Sequence, residues 1–139
     1  MSNVLSRKRS LSELEFWKVA VEIRAAFTRF LMNEKHIPKR WRPVFTFSGI
    51  DYARKLMEEI TAANTIYPTN EAELEQRRAH QNEAIVAVEQ IIQHAQWMIE
   101  TLDGVNISDF EYLGELLFKE AVLLKAWRKS NKVLPQKWD

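Results

Sequence analysis

Apolar residues recur every three or four positions along most of this chain, which is the spacing of one face of an α-helix. The clearest run lies between residues 84 and 102, and another lies between residues 110 and 124. Shorter runs of the same period precede them, from Phe16 to Leu31 and from Tyr52 to Ala63. The pattern therefore predicts four amphipathic helices.

Capping residues, prolines and a glycine indicate where these helices begin and end. Three pairs have the spacing of a capping box at a helix start: Ser12 with Glu15, Asn70 with Glu73, and Ser108 with Glu111. Because proline disfavours helical backbone in the residue before it, Pro38 should follow the first helix and Pro68 the second. The second helix should begin near Pro43, and Gly104 predicts the C-terminal stop of the third.

Short connections between helices force neighbours to run antiparallel, so the simplest arrangement is an up-down-up-down bundle. The chain has 139 residues, which fits one domain, and its three glycines and four prolines are too few for the turns of a many-stranded β fold. We therefore predict an all-α, antiparallel up-down-up-down four-helix bundle over residues 1–139. Flexible ends are expected at about 1–10 and 132–139.

The apolar surface is wider than one bundle core needs. Leu116, Leu123 and Trp127 extend the stripe of the fourth helix sideways, and Trp17 and Val21 lie off the main stripe of the first. These residues could belong to a wide core. Taken together they could also form a contact surface, since large exposed apolar areas on a soluble monomer usually mark one.

The side-chain chemistry of most enzymes is missing. The chain has no cysteine, and it lacks Glu-x-x-His pairs, a glycine-rich phosphate loop and a His-Glu-x-x-His motif. His94 lies beside the buried stripe of the third helix, where a packing role is more consistent than a catalytic one. We predict a non-enzymatic protein without metal or cofactor. The chain also shows neither a signal-peptide core nor a membrane-spanning run, so we expect a cytoplasmic location and no membrane partner.

Basic residues cluster in two places, although the net charge is only +1. The first loop carries Lys39, Arg40, Trp41 and Arg42, where an aromatic ring among cations could stack a base beside neutralised phosphates. The other cluster consists of Arg77, Arg78, Lys125, Arg128, Lys129 and Lys132. The predicted topology brings this second cluster to one end of the bundle as a phosphate-attracting face. Alternatively, both clusters are merely solvated, and acids of the third loop neutralise the first loop or pair with it between subunits.

Several short motifs are similar to those of one bacterial family. They are Ile37 to Arg40 after the first helix, Leu56 to Ile60 and Ala63-Asn64 in the second, Arg77-Arg78 in the third, and Leu123 to Ser130 near the end. In this order they resemble the four-helix bundle family of 23S rRNA intervening-sequence proteins and of the accessory variability determinant of diversity-generating retroelements. The chain departs from that family at Lys125, where a glycine is usual.

The resemblance implies an antiparallel bundle that assembles into a homopentameric ring. In the retroelement branch it further implies binding to a reverse transcriptase and its RNA or DNA through basic surface. The basic residues that match by position are Lys39, Arg40, Arg77, Arg78, Arg128 and Lys129. The resulting hypothesis is a nucleic-acid-associated accessory protein. The alternative is a structural oligomer or protein adaptor of the same fold that binds no nucleic acid.

Overall fold

Four long helices make up most of residues 14–136, which are the residues that the computed structural model describes. They are α1 (Glu15–Leu31), α2 (Phe47–Thr65), α3 (Glu71–Thr101) and α4 (Glu111–Lys129). No β-strand occurs in this range. The prediction of an all-α fold with four helices is confirmed. The expected flexible segment 1–10 and residues 137–139 lie outside the described part of the chain.

The helices pack in a closed cycle. α1 lies between α2 and α4, and α3 contacts the same two helices from the opposite side. Consecutive helices are joined by short connections and run antiparallel, so the predicted up-down-up-down bundle is confirmed. Across residues 14–136 we find no helix whose length and hydropathy would suit a membrane span.

The predicted apolar stripes form the core. Phe27, Leu56, Ile60, Ile91 and Leu124 are among its fully buried side chains, and they come from all four helices. The additional apolar residues also serve this core: Leu116 is buried, and Trp17, Val21, Leu123 and Trp127 pack against it while partly exposed. For these five residues the structure favours the wide-core interpretation.

The connection between α1 and α2 is more ordered than a simple loop. A 3₁₀ turn at Lys39–Trp41 leads into a π-helical turn at Arg42–Thr46, which carries Pro43 near its start and continues directly into α2. The Thr46 hydroxyl donates to the carbonyl of Leu31 at 2.9 Å, which satisfies a group left open at the end of α1. The second helical segment therefore does begin near Pro43.

His94 on α3 secures this turn. Its ring is buried, and Nε2 donates to the carbonyl oxygen of Phe45 at 2.7 Å. Burial lowers the pKa of His94, so the neutral ring is favoured. His94 is thus a hydrogen-bonded core residue, in agreement with the sequence-based interpretation.

Two of the predicted helix starts can be compared with the structure. The Asn70 side chain accepts from the backbone N–H of Glu73 at 2.9 Å, so the cap of α3 is confirmed. The prediction for α4 is wrong, because the capping box is formed by Asn106 and Asp109 instead of Ser108 and Glu111. Asn106 is the last residue in extended backbone, and Ser108 already lies inside a 3₁₀ turn at Ile107–Phe110 that precedes α4. Ser12 lies outside the described residues.

Gly104 has a different role from the one predicted. α3 already ends at Thr101, and Gly104 does not adopt the left-handed backbone of a glycine cap. Instead the third loop packs on the first: a Cβ atom at Gly104 would lie 2.7 Å from the carbonyl oxygen of Lys35. The Gly104 carbonyl also accepts a hydrogen bond from Nδ1 of His36 at 3.0 Å. The missing side chain therefore allows the two loops to meet.

Substitution of Gly104 by alanine should lower the free energy of unfolding by about 1–3 kcal/mol, because backbone atoms would have to move apart. Gly114 is the matched control: it lies within α4, and a Cβ atom there would meet nothing within 4 Å. Gly114→Ala should raise stability by about 0.5–1 kcal/mol, since alanine restricts the unfolded chain. Urea unfolding of both variants measures the difference. Equal effects of the two substitutions would contradict the close approach.

Glu120 is an acid inside the core. Its side chain is 0% exposed, and neither carboxyl oxygen has a hydrogen-bond partner among the residues that the structure describes. Burial and the negative charge of Glu15 raise its pKa to about 8. The carboxyl group therefore holds its proton at neutral pH in the folded protein and loses it on unfolding. This difference makes Glu120 destabilising at neutral pH.

Replacement of Glu120 by glutamine should remove this effect. The folded-state pKa of about 8 exceeds the ordinary value of 4.5, so the unfolded state loses its proton first and wild-type stability falls as pH rises between these values. From pH 5 to pH 8 the wild type should lose roughly 2–4 kcal/mol more than Glu120→Gln. Urea unfolding at both pH values tests this. Parallel pH profiles for the two proteins would show that Glu120 is ionised in the folded state.

Candidate nucleic-acid interface

The end of the bundle that carries the C-terminal segment is built around the second loop. The backbone N–H of Leu134 donates to the carbonyl of Pro68 at 2.8 Å, and the Tyr67 hydroxyl donates to the carbonyl of Pro135 at 3.0 Å. These contacts hold residues 130–136 against the connection between α2 and α3. The start of α3 and the end of α4 therefore lie side by side.

A polar groove of about 540 Å³ lies between these two helix ends. Its lining residues, here called the basic groove, are Arg78, Asn82, Lys125, Arg128, Lys129 and Asn131. Four of them were predicted from the sequence as nucleic-acid-binding residues. The structure thus brings together in one groove cations that lie about 50 positions apart in the chain.

The four cations of the basic groove differ in how they are held. Arg128 donates to the side-chain oxygen of Asn82 at 2.8 Å, and Arg78 is paired with Glu75. Lys125 and Lys129 are exposed, and neither has an ion pair with any residue from 14 to 136. Within residues 14–136 only Arg78 of the four is paired with an acid, so Lys125, Lys129 and Arg128, whose partner Asn82 is neutral, supply the uncompensated positive charge.

A buried amide pair fixes the floor of this region. Gln81 is 0% exposed, and its side chain exchanges two hydrogen bonds with Asn131, at 3.1 and 2.6 Å. This pair ties the residues after α4 to the N-terminal third of α3. Sequence reasoning missed it because an isolated glutamine carries no spacing signal. The sequence indicated the burial of Gln81 only through its position, four residues after Arg77 on the buried side of α3.

Arg77 does not belong to the basic groove. Its guanidinium donates to the carbonyl of Ile66 at 2.8 Å and lies over the ring of Trp127, 5.3 Å from the centroid. The side chain is partly buried, and this burial lowers its pKa. Lys132 lines a smaller cleft beside Arg77. Arg77 therefore joins the second loop to α4, whereas Lys132 remains exposed next to it.

The first-loop cluster lies at the opposite end of the bundle, and two of its cations share one acid of the same loop, Glu34. Lys39 and Arg42 lie 3.5 and 3.7 Å from the carboxylate of Glu34. Among the described residues, Lys39 and Arg42 are thus paired with an acid of their own loop and not with the acids of the third loop, of which Asp109 lies 3.9 Å from Nδ1 of His36. The two predicted clusters thus form separate surfaces.

Trp41 is poorly suited to stack a base in this conformation. The ring is only partly exposed and packs against Phe45, with centroids 5.8 Å apart. The guanidinium of Arg40 lies 6.0 Å from the centroid of the same ring. The indole therefore contributes to the wall of the bundle and holds Arg40 by a cation–π contact.

An apolar groove of about 500 Å³, which the sequence did not indicate, lies between α2 and α3. Val44, Val86 and Trp97 are exposed at its rim, and Tyr52 lines it. Two of its polar groups are engaged, because the Ser48 hydroxyl donates to the Val44 carbonyl and His94 is bonded to Phe45. The exposed side chains of Glu89 and Gln93 add polar groups to an otherwise apolar lining.

Replacement of Arg77 by lysine should lower the free energy of unfolding by about 1–3 kcal/mol, because the hydrogen bond to Ile66 and the contact with Trp127 would both be weakened. Lys129→Gln serves as the control, since that side chain is exposed and should change stability by less than about 0.5 kcal/mol. Thermal and urea unfolding report both effects. If Arg77→Lys were as stable as the wild type, Arg77 would be a surface cation like the lysines.

Comparison with known proteins adds no further constraint to this site. No protein-family model, curated protein or solved structure matches the chain. Within residues 14–136 no group of three or more histidine, cysteine, aspartate or glutamate residues is placed to hold a metal ion. The family resemblance therefore rests on the sequence motifs, and the functional argument rests on the two grooves.

Proposed function

We propose that this protein is a non-enzymatic, nucleic-acid-associated accessory protein that binds phosphates in the basic groove. The observation that carries the proposal is the pair of exposed lysines, Lys125 and Lys129, which have no ion pair within residues 14–136 and lie beside Arg78 and Arg128. A near-neutral chain thus has a local concentration of positive charge, and such a surface attracts a polyanion without requiring a strongly basic protein.

The geometry of α4 suits this role. Lys125 and Lys129 are one helical turn apart, so their side chains project from neighbouring positions on the same face. They lie at the C-terminal end of α4, where the negative end of the helix dipole stabilises their positive charge, so the attraction for phosphate comes from the side chains alone. Phosphates that contact these lysines would displace condensed counterions, which makes the binding strength depend on salt.

The family resemblance supports a more specific form of the proposal. In that form the protein assembles into a homo-oligomeric ring, with five copies as the expected number, and binds a reverse transcriptase together with its RNA or DNA. It works in the cytoplasm and requires no cofactor or membrane. The matched residues Arg78, Arg128 and Lys129 are those that the basic groove and the resemblance share.

The double substitution Lys125→Gln and Lys129→Gln tests the basic groove. Affinity for a 20-nucleotide RNA should fall at least tenfold, and the slope of log affinity against log salt should become shallower by about 1.5, because two phosphate contacts are lost. Fluorescence anisotropy between about 50 and 200 mM salt measures both quantities. Glutamine keeps much of the side-chain length and removes only the charge.

The matched control removes two charges from the other end of the bundle. Lys39→Gln with Arg40→Gln changes the net charge by the same amount but leaves the basic groove intact, so affinity should fall less than threefold. Equal losses from the two double variants would show that only total charge matters. A larger loss from the first-loop variant would place the interface there and overturn the proposal.

The apolar groove favours a second candidate function, a structural oligomer or protein adaptor. Val86 and Trp97 line this groove and are 41% and 45% exposed, and Val44 on its other side is 37% exposed. Apolar side chains grouped in this way are typical of protein contact surfaces. A wild-type protein that forms a defined oligomer in sedimentation velocity and binds no nucleic acid at low salt would support this second function over the first.

A further inference from the structure

The outer face of α4 carries two apolar side chains that the core does not use. Phe118 is 74% exposed and Val122 is 53% exposed, although both lie within a regular helix. Lys125 and Lys129 follow at spacings that place them on the same face as Phe118. One face of α4 therefore presents an aromatic ring, a valine and the two lysines of the basic groove in order.

Phe118 differs from the other aromatic residues near basic side chains because its ring is accessible. Trp127 is stacked on Phe16, with centroids 4.2 Å apart, and carries Arg77 on its ring. Trp41 is packed against Phe45. Within residues 14–136 no aromatic or cationic group contacts the ring of Phe118.

The charged side chains along this face change from acidic to basic from the N-terminal to the C-terminal part of α4. Glu111 and Glu115 are exposed on the N-terminal side of Phe118, whereas Lys125 and Lys129 lie on its C-terminal side. An anionic chain would therefore be repelled before Phe118 and attracted beyond it. Phe118 and Lys125 are separated by about 10 Å along the helix axis. This distance lies within the reach of a few linked nucleotides.

Phe118 and Val122 alone do not supply the area of a stable contact between two copies of the chain. A buried aromatic side chain contributes about 150–250 Å², and one valine adds less, while a stable interface buries roughly 800 Å² on each partner. Charged side chains lie within one helical turn on both sides of the pair. The complementary charge of the two lysines thus favours an anionic partner over a second apolar surface.

We propose that the outer face of α4 binds single-stranded nucleic acid, with an unpaired base stacked on Phe118 and the adjoining phosphates on Lys125 and Lys129. The proposal rests on the nucleic-acid-binding function of the basic groove and names its substrate class. A base exposes its ring face to a protein side chain only when it is not stacked within a duplex. Phosphate contacts alone would not distinguish the two forms, so Phe118 supplies the preference for the single strand.

The test compares the wild type with Phe118→Leu and Phe118→Trp, using a fluorescently labelled 20-nucleotide oligo-U and an RNA duplex of equal length. Leucine remains large and apolar but offers no ring, so affinity for oligo-U should fall about tenfold, while tryptophan should retain it. Affinity for the duplex should change less than twofold in both variants. The salt slope should stay the same, because no phosphate contact is removed.

Val122→Ala is the matched control, since it removes apolar surface from the same face without removing a ring, and it should leave oligo-U affinity within twofold. Unchanged affinity of Phe118→Leu for oligo-U would overturn the proposal, as would an equal loss for oligo-U and duplex. A changed sedimentation coefficient of Phe118→Leu without nucleic acid would identify a second copy as the partner and would also overturn it. If the wild type binds neither nucleic acid, the function of the basic groove itself fails, which is a distinguishable result.

Discussion

The arrangement of this bundle depends on the length of α3. With 31 residues it extends about 46 Å, whereas the other helices have 17 to 19 residues and cannot cover it from end to end. Non-helical segments must therefore pack on both ends of α3. Near its C-terminus the turn that contains Phe45 and Thr46 is bound by His94, and near its N-terminus the C-terminal segment is bound through Gln81 and Asn131. At each end of α3, one of these polar contacts holds the non-helical segment in place.

The same constraint explains how a chain with a net charge of +1 can have a basic surface at one end. The C-terminal segment is held beside the start of α3, so cations distant in sequence converge in the basic groove. At the other end the first loop includes its own acid, Glu34, which lies close to Lys39 and Arg42. This single acid offsets only part of the positive charge of the first loop, so the near-neutral total is reached across the whole molecule.

The sequence predicted the helices and most of the core because burial repeats with the helix period, and this signal is distributed over many residues. It failed where one contact between distant segments decides the outcome. Gly104 resembles a helix stop, yet its role depends on the carbonyl of Lys35, almost 70 positions away. Glu120 follows Leu116 and Leu117 at the spacing of the buried stripe, but a carboxyl group is not expected in a core without a partner. The burial of Glu120 could have been inferred from position alone.

The candidate site, like the fold, was predicted only in part. The topology was sufficient to bring Arg78, Lys125 and Lys129 together, but the sequence could not show which cations the fold would use internally. Arg77 and Arg78 are adjacent, and because neighbouring helical residues point in different directions, one crosses to Trp127 and Ile66 while the other lines the groove.

The cations that form contacts within the bundle still contribute to the proposed interface. The bond from Arg128 to Asn82 joins the last turn of α4 to α3, and the pair of Gln81 and Asn131 fixes the residues that follow. Lys125 and Lys129 therefore project from a helix end that is fastened on two sides. Less motion of the backbone has to be restricted when a ligand binds to such a helix than when it binds to a loose terminus. The contacts by which the arginines hold the bundle together thus favour phosphate binding by the lysines.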